Sequence, residues 1–375
     1  MPRSFLFFIA IFVSSLANVP GSRLVAQTSA AQVEFTKCWQ FAEPESEIVA
    51  LSADSRAVFA STSDARITSV ALTTGEKLWS TEVGGSIASN LLTFGDRLYL
   101  VAHRGNSPGD QASLKSLAKE TGILAKDLPI QRGERYYVES DASGVIVVSS
   151  SGDVYLVSAG GDQILWHRKP TGSVVGKPYI NGGTIVLSSA DRNLIRLSVK
   201  TGEIDFIKQL PNAPSVVFSS RSGDLFYGDS RGDLSSVTER WTLKLGAQVS
   251  ELFELDGTLI VSSYDNFLYR ISPRNGDVKW RKRLAGRIAG TSLAPDKSLL
   301  VFILGDSTAL LLEPKRGRTV GQIALGAPIE AAVIPRTFDG GSIVSLNGDV
   351  LAFAAGSCDA KKAPAITASA VPNPK

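Results

Sequence analysis

The 375-residue sequence has only two histidines and two cysteines, and neither pair forms a familiar catalytic or metal-binding motif. There is no His-x-x-x-His or Cys-x-x-Cys spacing, so no zinc site is indicated. His103 and His167 each stand alone in strand-like sequence, and we expect surface or core positions for both. The serine-rich stretch at 149–151 lies between strands and lacks the glycines of a hydrolase nucleophile elbow. No Gly-x-Gly-x-x-Gly precedes a predicted helix, which argues against a dinucleotide site.

A strong charge of either sign is also missing. The chain has 39 Lys and Arg against 36 Asp and Glu, a net charge of +3. This balance gives no reason to expect a nucleic-acid partner.

The chain has a single long apolar run near its start, from Phe5 to Val13, preceded by Arg3. The run is short for a transmembrane helix and typical of a secretory leader. We expect a signal peptide over residues 1–26, with cleavage after Ala17 or Ala26; an uncleaved anchor is the alternative. No cysteine follows the run, so we expect no lipid anchor. Residues 359–375 are rich in Ala, Pro, Lys and Ser and are predicted to be disordered.

The five tryptophans recur at one period. They are separated by 40, 87, 75 and 39 residues, and the two long gaps each contain one missing position, near Lys126 and at Phe206. An eighth position falls at Gly321. A period near 40 residues in a strand-rich chain indicates a repeated four-stranded unit, and hence an all-β, eight-bladed β-propeller over residues 33–358. We predict blade-packing roles for a set of aromatic residues: Trp39, Trp79, Trp166, Phe206, Trp241 and Trp280.

Each repeat combines β-branched strands with glycine turns. In the clearest repeat, strands are predicted at 56–60, 66–72 and 77–79, with Thr74-Gly75 before the last strand. Glycine suits this turn because a tight hairpin needs positive φ. The second repeat is long, with an insert around 105–110, and the fifth is short, ending at Trp241 without a glycine turn. An insert on one repeat maps to a surface loop and can mark a binding face.

The closing blade should use both chain ends. Strands fit at 329–334, 342–346 and 350–354, but no fourth strand follows Gly356. The segment 33–41, which contains Trp39, can supply it. Aligning the repeats then places Cys358 at the position of Lys77 and Cys38 at that of Leu78. We therefore predict a disulfide between Cys38 and Cys358, which suits an exported chain.

Residues 71–79, with the sequence Ala-Leu-Thr-Thr-Gly-Glu-Lys-Leu-Trp, resemble the tryptophan-docking repeat of quinoprotein-type propellers. The resemblance extends from residue 33 to about 358 and is closest in type to the outer-membrane assembly propellers. It implies a non-catalytic periplasmic or secreted scaffold that binds another envelope protein, as a monomer within a complex. The adjacent cysteines and acidic residues expected at a quinone and Ca²⁺ site are missing, so no cofactor or metal is expected. The alternative is a quinone-dependent dehydrogenase, or another small-molecule-binding enzyme, that uses the central channel. A sugar-binding propeller is a third interpretation, but the sequence shows no aromatic cluster, beyond the blade tryptophans, that would support it.

Basic clusters mark a candidate interaction surface. They could equally be a solvated rim, and the sequence does not show whether they share a face. The cations are Arg168, Lys169, Arg281, Lys282, Arg283, Lys315 and Arg316.

Overall fold

The computed structural model describes residues 35–42, 46–105, 111–220, 222–293, 298–330, 332–333, 343–355 and 358. All regular structure in these ranges is β-strand, and none of them contains a helix long and apolar enough to cross a membrane. The predicted leader at 1–26 and tail at 359–375 lie outside the described residues. Most of the insert at 105–110 does so as well.

The strands form eight sheets, which we call blades and number along the chain. The first strand of the chain is β1 (Phe35–Ala42). Blade 1 contains β2 (Ile48–Ala53), β3 (Ala57–Thr62), β4 (Arg66–Ala71) and β5 (Lys77–Glu82). Blade 2 contains β6 (Ser86–Ile87), β7 (Leu92–Phe94), β8 (Arg97–His103), β9 (Ala112–Ala118) and β10 (Leu124–Ile130). Blade 3 contains β11 (Tyr136–Asp141), β12 (Gly144–Ser149), β13 (Val154–Val157) and β14 (Ile164–Arg168). Blade 4 contains β15 (Tyr179–Asn181), β16 (Thr184–Ser188), β17 (Asn193–Ser198) and β18 (Ile204–Gln209).

The second half of the chain repeats the pattern. Blade 5 contains β19 (Pro214–Ser219), β20 (Leu225–Asp229), β21 (Asp233–Ser236) and β22 (Thr242–Lys244). Blade 6 contains β23 (Val249–Leu255), β24 (Thr258–Ser263), β25 (Phe267–Ile271) and β26 (Val278–Arg283). Blade 7 contains β27 (Ile288–Leu293), β28 (Leu299–Ile303), β29 (Thr308–Glu313) and β30 (Arg318–Ala324). Blade 8 contains β31 (Ala332–Val333), β32 (Ile343–Leu346), β33 (Asp349–Ala355) and β1.

Within each blade, consecutive strands pair antiparallel. The first strands of neighbouring blades contact one another around the ring, so they are innermost and line the central channel, while the fourth strands are outermost. In blade 2 the innermost position is divided between β6 and β7, both of which pair with β8. The eight-bladed propeller predicted from the period is therefore confirmed.

Hydrophobic side chains fill the spaces between blades. Second and third strands are buried on both faces; in β3 and β12 every residue is buried. Ile146 and Leu156 of blade 3 pack with Ile185 and Leu197 of blade 4, and similar clusters join other neighbours. Outer strands have solvent on one side, so β18 is mostly exposed. Apolar burial between blades therefore holds the ring together.

The amino-terminal strand closes the ring, as predicted. Strand β1 pairs antiparallel with β33, with Trp39 opposite Ala352 and Phe41 opposite Val350. Of the innermost strand predicted at 329–334, the structure describes only 332–333 as strand. The two chain ends thus share one blade, which removes the open sheet edge that each end would leave alone.

Candidate interaction surface

The five tryptophans lie against neighbouring blades in one common geometry. Each indole covers the glycine of the turn before the next blade's fourth strand, as the Trp39 ring covers Gly75. The indole N–H donates to the carbonyl three residues before that glycine, at 2.8–2.9 Å in all five cases. The acceptors are the carbonyls of Leu72, Lys119, Val199, Pro273 and Pro314. Each of these tryptophans therefore joins two blades, by the apolar contact of its ring and by the hydrogen bond of its N–H.

The positions without tryptophan are filled in other ways. Between blades 2 and 3, Tyr99 of β8 lies beside Gly161, and its hydroxyl donates to the Ala159 carbonyl. Sequence reasoning missed this residue because Tyr99 lies on a different strand from the tryptophans. Between blades 4 and 5, Phe206 packs into the interblade core, with the Arg196 guanidinium 5.6 Å from the centre of its ring.

The disulfide between Cys38 and Cys358 lies at the seam of blade 8. The Cα atoms are 5.4 Å apart and the residues are 320 positions apart in sequence. Cys38 is on the outermost strand, so the bond lies at the outer wall and away from the channel. Both cysteines of the chain are therefore used in one structural bond.

Both histidines have well-defined partners in blades 2 and 3. His103 Nε2 lies 2.8 Å from the Gly133 carbonyl. His167 Nε2 lies 2.9 Å from an oxygen of Asp153, and its ring stacks on Tyr155 with centroids 4.4 Å apart. Asp153 also accepts from Lys169 Nζ at 3.1 Å, although its own side chain is only 5% exposed. These contacts connect the hairpin between β12 and β13 to β14, the outermost strand of blade 3.

The electrostatics of this cluster follow from its contacts. Burial alone raises the pKa of Asp153, but hydrogen bonds from His167 and Lys169, together with their positive charge, leave that pKa lowered. Burial raises the pKa of Tyr155 to about 12, against the opposing hydrogen bond from the Gln131 backbone. A lowered carboxylate pKa and a raised phenol pKa keep Asp153 charged and Tyr155 neutral near neutral pH.

The predicted basic clusters divide into two groups. Arg168 and Lys169 belong to blade 3; Arg168 donates to the Thr201 carbonyl of blade 4, and Lys169 pairs with Asp153. The other five cations lie on the outer strand of blade 6, as Arg281, Lys282 and Arg283, and in the turn of blade 7 before β30, as Lys315 and Arg316. Trp280 of β26 lies against Gly317, and its N–H donates to the Pro314 carbonyl, so the turn that carries Lys315 and Arg316 packs against β26.

We call the second group the basic wall and define it by seven residues. Five were predicted from sequence, and Lys279 and Arg287 extend the set. The basic wall is Lys279, Arg281, Lys282, Arg283, Arg287, Lys315 and Arg316.

Aromatic rings hold two guanidinium groups of the wall in place. Arg281 lies over the Phe267 ring at 5.6 Å, and Arg287 lies over the Tyr264 ring at 4.4 Å. Such cation–π contacts favour fixed positions without neutralising the charge. No wall residue forms an ion pair with a carboxylate in the described part of the chain. The wall is thus a concentrated positive charge without an internal counter-charge.

A carboxyl group lies among the innermost strands. Glu251 of β23 accepts a hydrogen bond from Thr291 of β27 at 2.9 Å. Burial raises the pKa of Glu251, and the Thr291 hydrogen bond and the charge of Lys177 oppose that rise. Among the described residues, no group of three or more His, Cys, Asp or Glu side chains could hold a metal ion.

One serine motif was overlooked in the sequence. Residues 228–232 read Gly-Asp-Ser-Arg-Gly, the spacing of a nucleophile elbow. In the structure they form the hairpin between β20 and β21, where Asp229 accepts hydrogen bonds from the backbone of Arg231 and Asp233. A nucleophile elbow requires a strand followed by a helix. The motif is therefore a turn that Asp229 stabilises.

Solved structures with the same architecture include natural and designed proteins. The Ika8 designed protein matches with a TM-score of 0.69 and 14% identity, covering 84% of this chain and 98% of its own. BamB from Moraxella catarrhalis matches at 0.62 and 14%, covering 86% and 98%. The C-terminal WD40 domain of Sif2 matches at 0.66 and 11%, covering 85% and 98%. At these identities the likeness shows the fold alone.

Comparison with protein-family models identifies a family, whereas the structural likeness shows only the fold. No curated protein sequence matches this chain significantly. A family model described as outer membrane protein assembly factor BamB, built on quinoprotein-like repeats, matches residues 34–125, 125–237 and 233–359. Because these segments cover nearly the whole propeller, the chain belongs to the BamB-like family of quinoprotein-repeat propellers.

Proposed function

We propose that this protein is an exported, non-catalytic scaffold that binds another envelope protein during outer-membrane protein assembly. The observation that carries the proposal is the family match, which spans all eight blades and bears the description of an outer-membrane assembly factor. A closed ring with a covalent seam offers a rigid frame with loops and sheet edges around its surface. Such a frame suits the holding of partners in a fixed arrangement.

The disulfide supports an oxidising compartment. The positions of the cysteines and histidines support a role without redox chemistry. A disulfide between the chain ends suits the periplasm or another oxidising space. The resemblance to quinoprotein dehydrogenases implies adjacent cysteines near the cofactor, whereas here Cys38 and Cys358 are bonded to each other at the outer wall. His103 and His167 contact groups of the fold itself, Gly133 and Asp153.

Isolation from the envelope tests this proposal. The full chain carrying an affinity tag after Lys375 is expressed in a bacterium that contains an outer membrane and is purified from gently solubilised envelopes. We expect a stoichiometric complex with a component of the assembly machinery that survives size-exclusion chromatography. An unrelated exported propeller with the same tag serves as the control. Elution as a free protein, or purification with bound quinone and substrate-dependent dye reduction, would contradict the proposal.

A further inference from the structure

We infer that the basic wall binds an acidic, extended segment of a partner protein, which adds as a strand to the open edge of β26. The inference rests on the proposed scaffold function, since it names the chemistry of one partner. It also identifies which part of the ring the partner contacts, the outer edge of blade 6 and the adjoining turn of blade 7.

The first argument is the free sheet edge. Strand β26 pairs with β25 through residues 278–283 and is the last strand of its blade. Among the described strands, none pairs with its outer side. The backbone groups there are free to pair with an added strand, which is a common way for a sheet to bind a peptide.

The second argument is the number of cations on this strand. Natural sheets protect an outer edge with a few charged side chains, so a single lysine would need no further explanation. The equivalent strand of blade 4, Ile204–Gln209, carries one lysine and one aspartate. Strand β26 reads Val-Lys-Trp-Arg-Lys-Arg, with four cations and no acid. This concentration exceeds what edge protection requires and disfavours the isolated ring by self-repulsion.

The third argument is the distribution of these cations over both faces of the strand. Trp280 faces blade 7, where it covers Gly317, and Lys282 lies two residues further along β26 on the same face. Arg281 lies on the opposite face, over Phe267. Side chains of an added strand also alternate between the two faces. A partner that meets both sets of cations therefore has acidic residues at successive positions rather than at alternate ones.

The fourth argument is the state of the nearby carboxylates. Asp265 accepts hydrogen bonds from the Gly246 N–H, the Phe267 N–H and the Tyr269 hydroxyl. Glu313 accepts two hydrogen bonds from Arg318. Within the described structure, neither carboxylate forms an ion pair with a residue of the basic wall, so these two groups do not neutralise its cations. A guanidinium held on an aromatic ring loses less freedom on binding a carboxylate than a mobile one.

An anionic membrane surface is the other occupant with this charge. It would satisfy the cations but not the backbone groups along the edge, which need alternating donors and acceptors at strand spacing. The open edge beside the cations therefore favours a peptide.

Peptide binding to the purified full-length protein tests the inference directly. The probe is a synthetic peptide with a central run of glutamates flanked by valine and threonine, titrated by calorimetry at low ionic strength. One control peptide carries glutamine in place of glutamate, and a second carries proline at alternate positions, which removes the N–H groups needed for strand pairing. We expect binding of the glutamate peptide, weakening in salt as screening predicts, and loss of binding for both controls. Equal binding of the proline peptide would overturn strand addition.

A matched pair of variants locates the site. Arg281→Gln with Arg283→Gln should weaken the peptide affinity about tenfold, in line with the loss of two partly screened charge pairs. Lys200→Gln with Lys208→Gln removes two exposed cations from the outer part of blade 4 and should leave the affinity unchanged. Equal weakening by both pairs, or tight binding to anionic lipid vesicles without peptide binding, would contradict the inference. If the Arg281/Arg283 variant still captures the envelope complex, the basic wall is not the surface that binds the partner, and the scaffold function stands. If the wild-type protein binds the peptide but captures no envelope complex, the peptide site stands and the scaffold function is wrong.

Discussion

The indole ring of Trp39 occupies the space into which a side chain at Gly75 would point. A Cβ atom built on Gly75 would lie 2.7 Å from the ring, and Gly75 also has a φ of +73°. The same relationship joins Trp280 with Gly317, and Trp79 with Gly122. The glycine is thus required twice, once by its backbone conformation and once by its contact with the neighbouring blade.

We predict that Gly75→Ala lowers the free energy of unfolding by about 2–4 kcal/mol, from left-handed backbone strain and overpacking against the indole together. Gly257→Ala is the matched control, because Gly257 has a φ of +67° but no atom within 4 Å of the new methyl group. It should cost only the backbone part, about 1 kcal/mol. Thermal and urea unfolding of both variants measure the difference. Equal losses would show that the indole contact adds nothing.

The tryptophan spacing predicts the ring, and the reason is physical. A flat residue that must cover the next blade's turn recurs once per blade, so the period of Trp39, Trp79 and the others reports the blade length directly. The closing strand followed from counting strands at both ends, and the cysteine pairing followed from that closure.

The surface chemistry could not be predicted in the same way. Tyr99 replaces an indole from a different strand, which no spacing along the chain shows. The packing of the 314–317 turn against Trp280 of β26 depends on two blades meeting, as does the Glu251–Thr291 hydrogen bond. Local pattern determines strands and turns, whereas pairs that meet across a blade boundary depend on twist and loop length.

The seam disulfide yields a second prediction. Cys38→Ser should lower the free energy of unfolding by about 2–4 kcal/mol, because the bond restricts the unfolded chain across a very long loop. Cys358→Ser should match it, and wild-type protein in reductant should unfold like either variant. Denaturant unfolding with and without reductant measures this. Two free thiols in denatured, unreduced wild-type protein would contradict the prediction.

Asp153 should contribute to stability with a definite pH dependence. Its pKa in the folded state lies below the ordinary value of 3.8, since hydrogen bonds from His167 and Lys169 outweigh burial. The carboxylate therefore stabilises the fold above pH 3.8, and this contribution is lost as pH falls through the folded pKa. Asp153→Asn should cost about 1–2 kcal/mol near neutral pH, because it weakens charge-assisted hydrogen bonds.

Urea unfolding of wild type and Asp153→Asn across a pH series checks this dependence. The difference between the two proteins should be present at about pH 5 and shrink below about pH 4. Asp191→Asn, at an exposed turn of blade 4, is the control and should show little difference. A constant difference down to the lowest pH at which the protein folds would count against the assignment.

Glu251 should have the opposite dependence. Burial raises its pKa above the ordinary 4.5, despite the Thr291 hydrogen bond and the charge of Lys177. The folded protein then holds a proton over a pH range in which the unfolded chain has released it, so stability falls as pH rises from 4.5 through the folded pKa. Glu251→Gln keeps an oxygen acceptor for Thr291 but cannot ionise. It should be more stable than wild type at pH 8 and equal to it below pH 4, whereas Glu239→Gln, at an exposed turn, should match wild type throughout. Unfolding curves at several pH values measure this, and a variant less stable than wild type at pH 8 would show that the ionised carboxylate supports the channel wall.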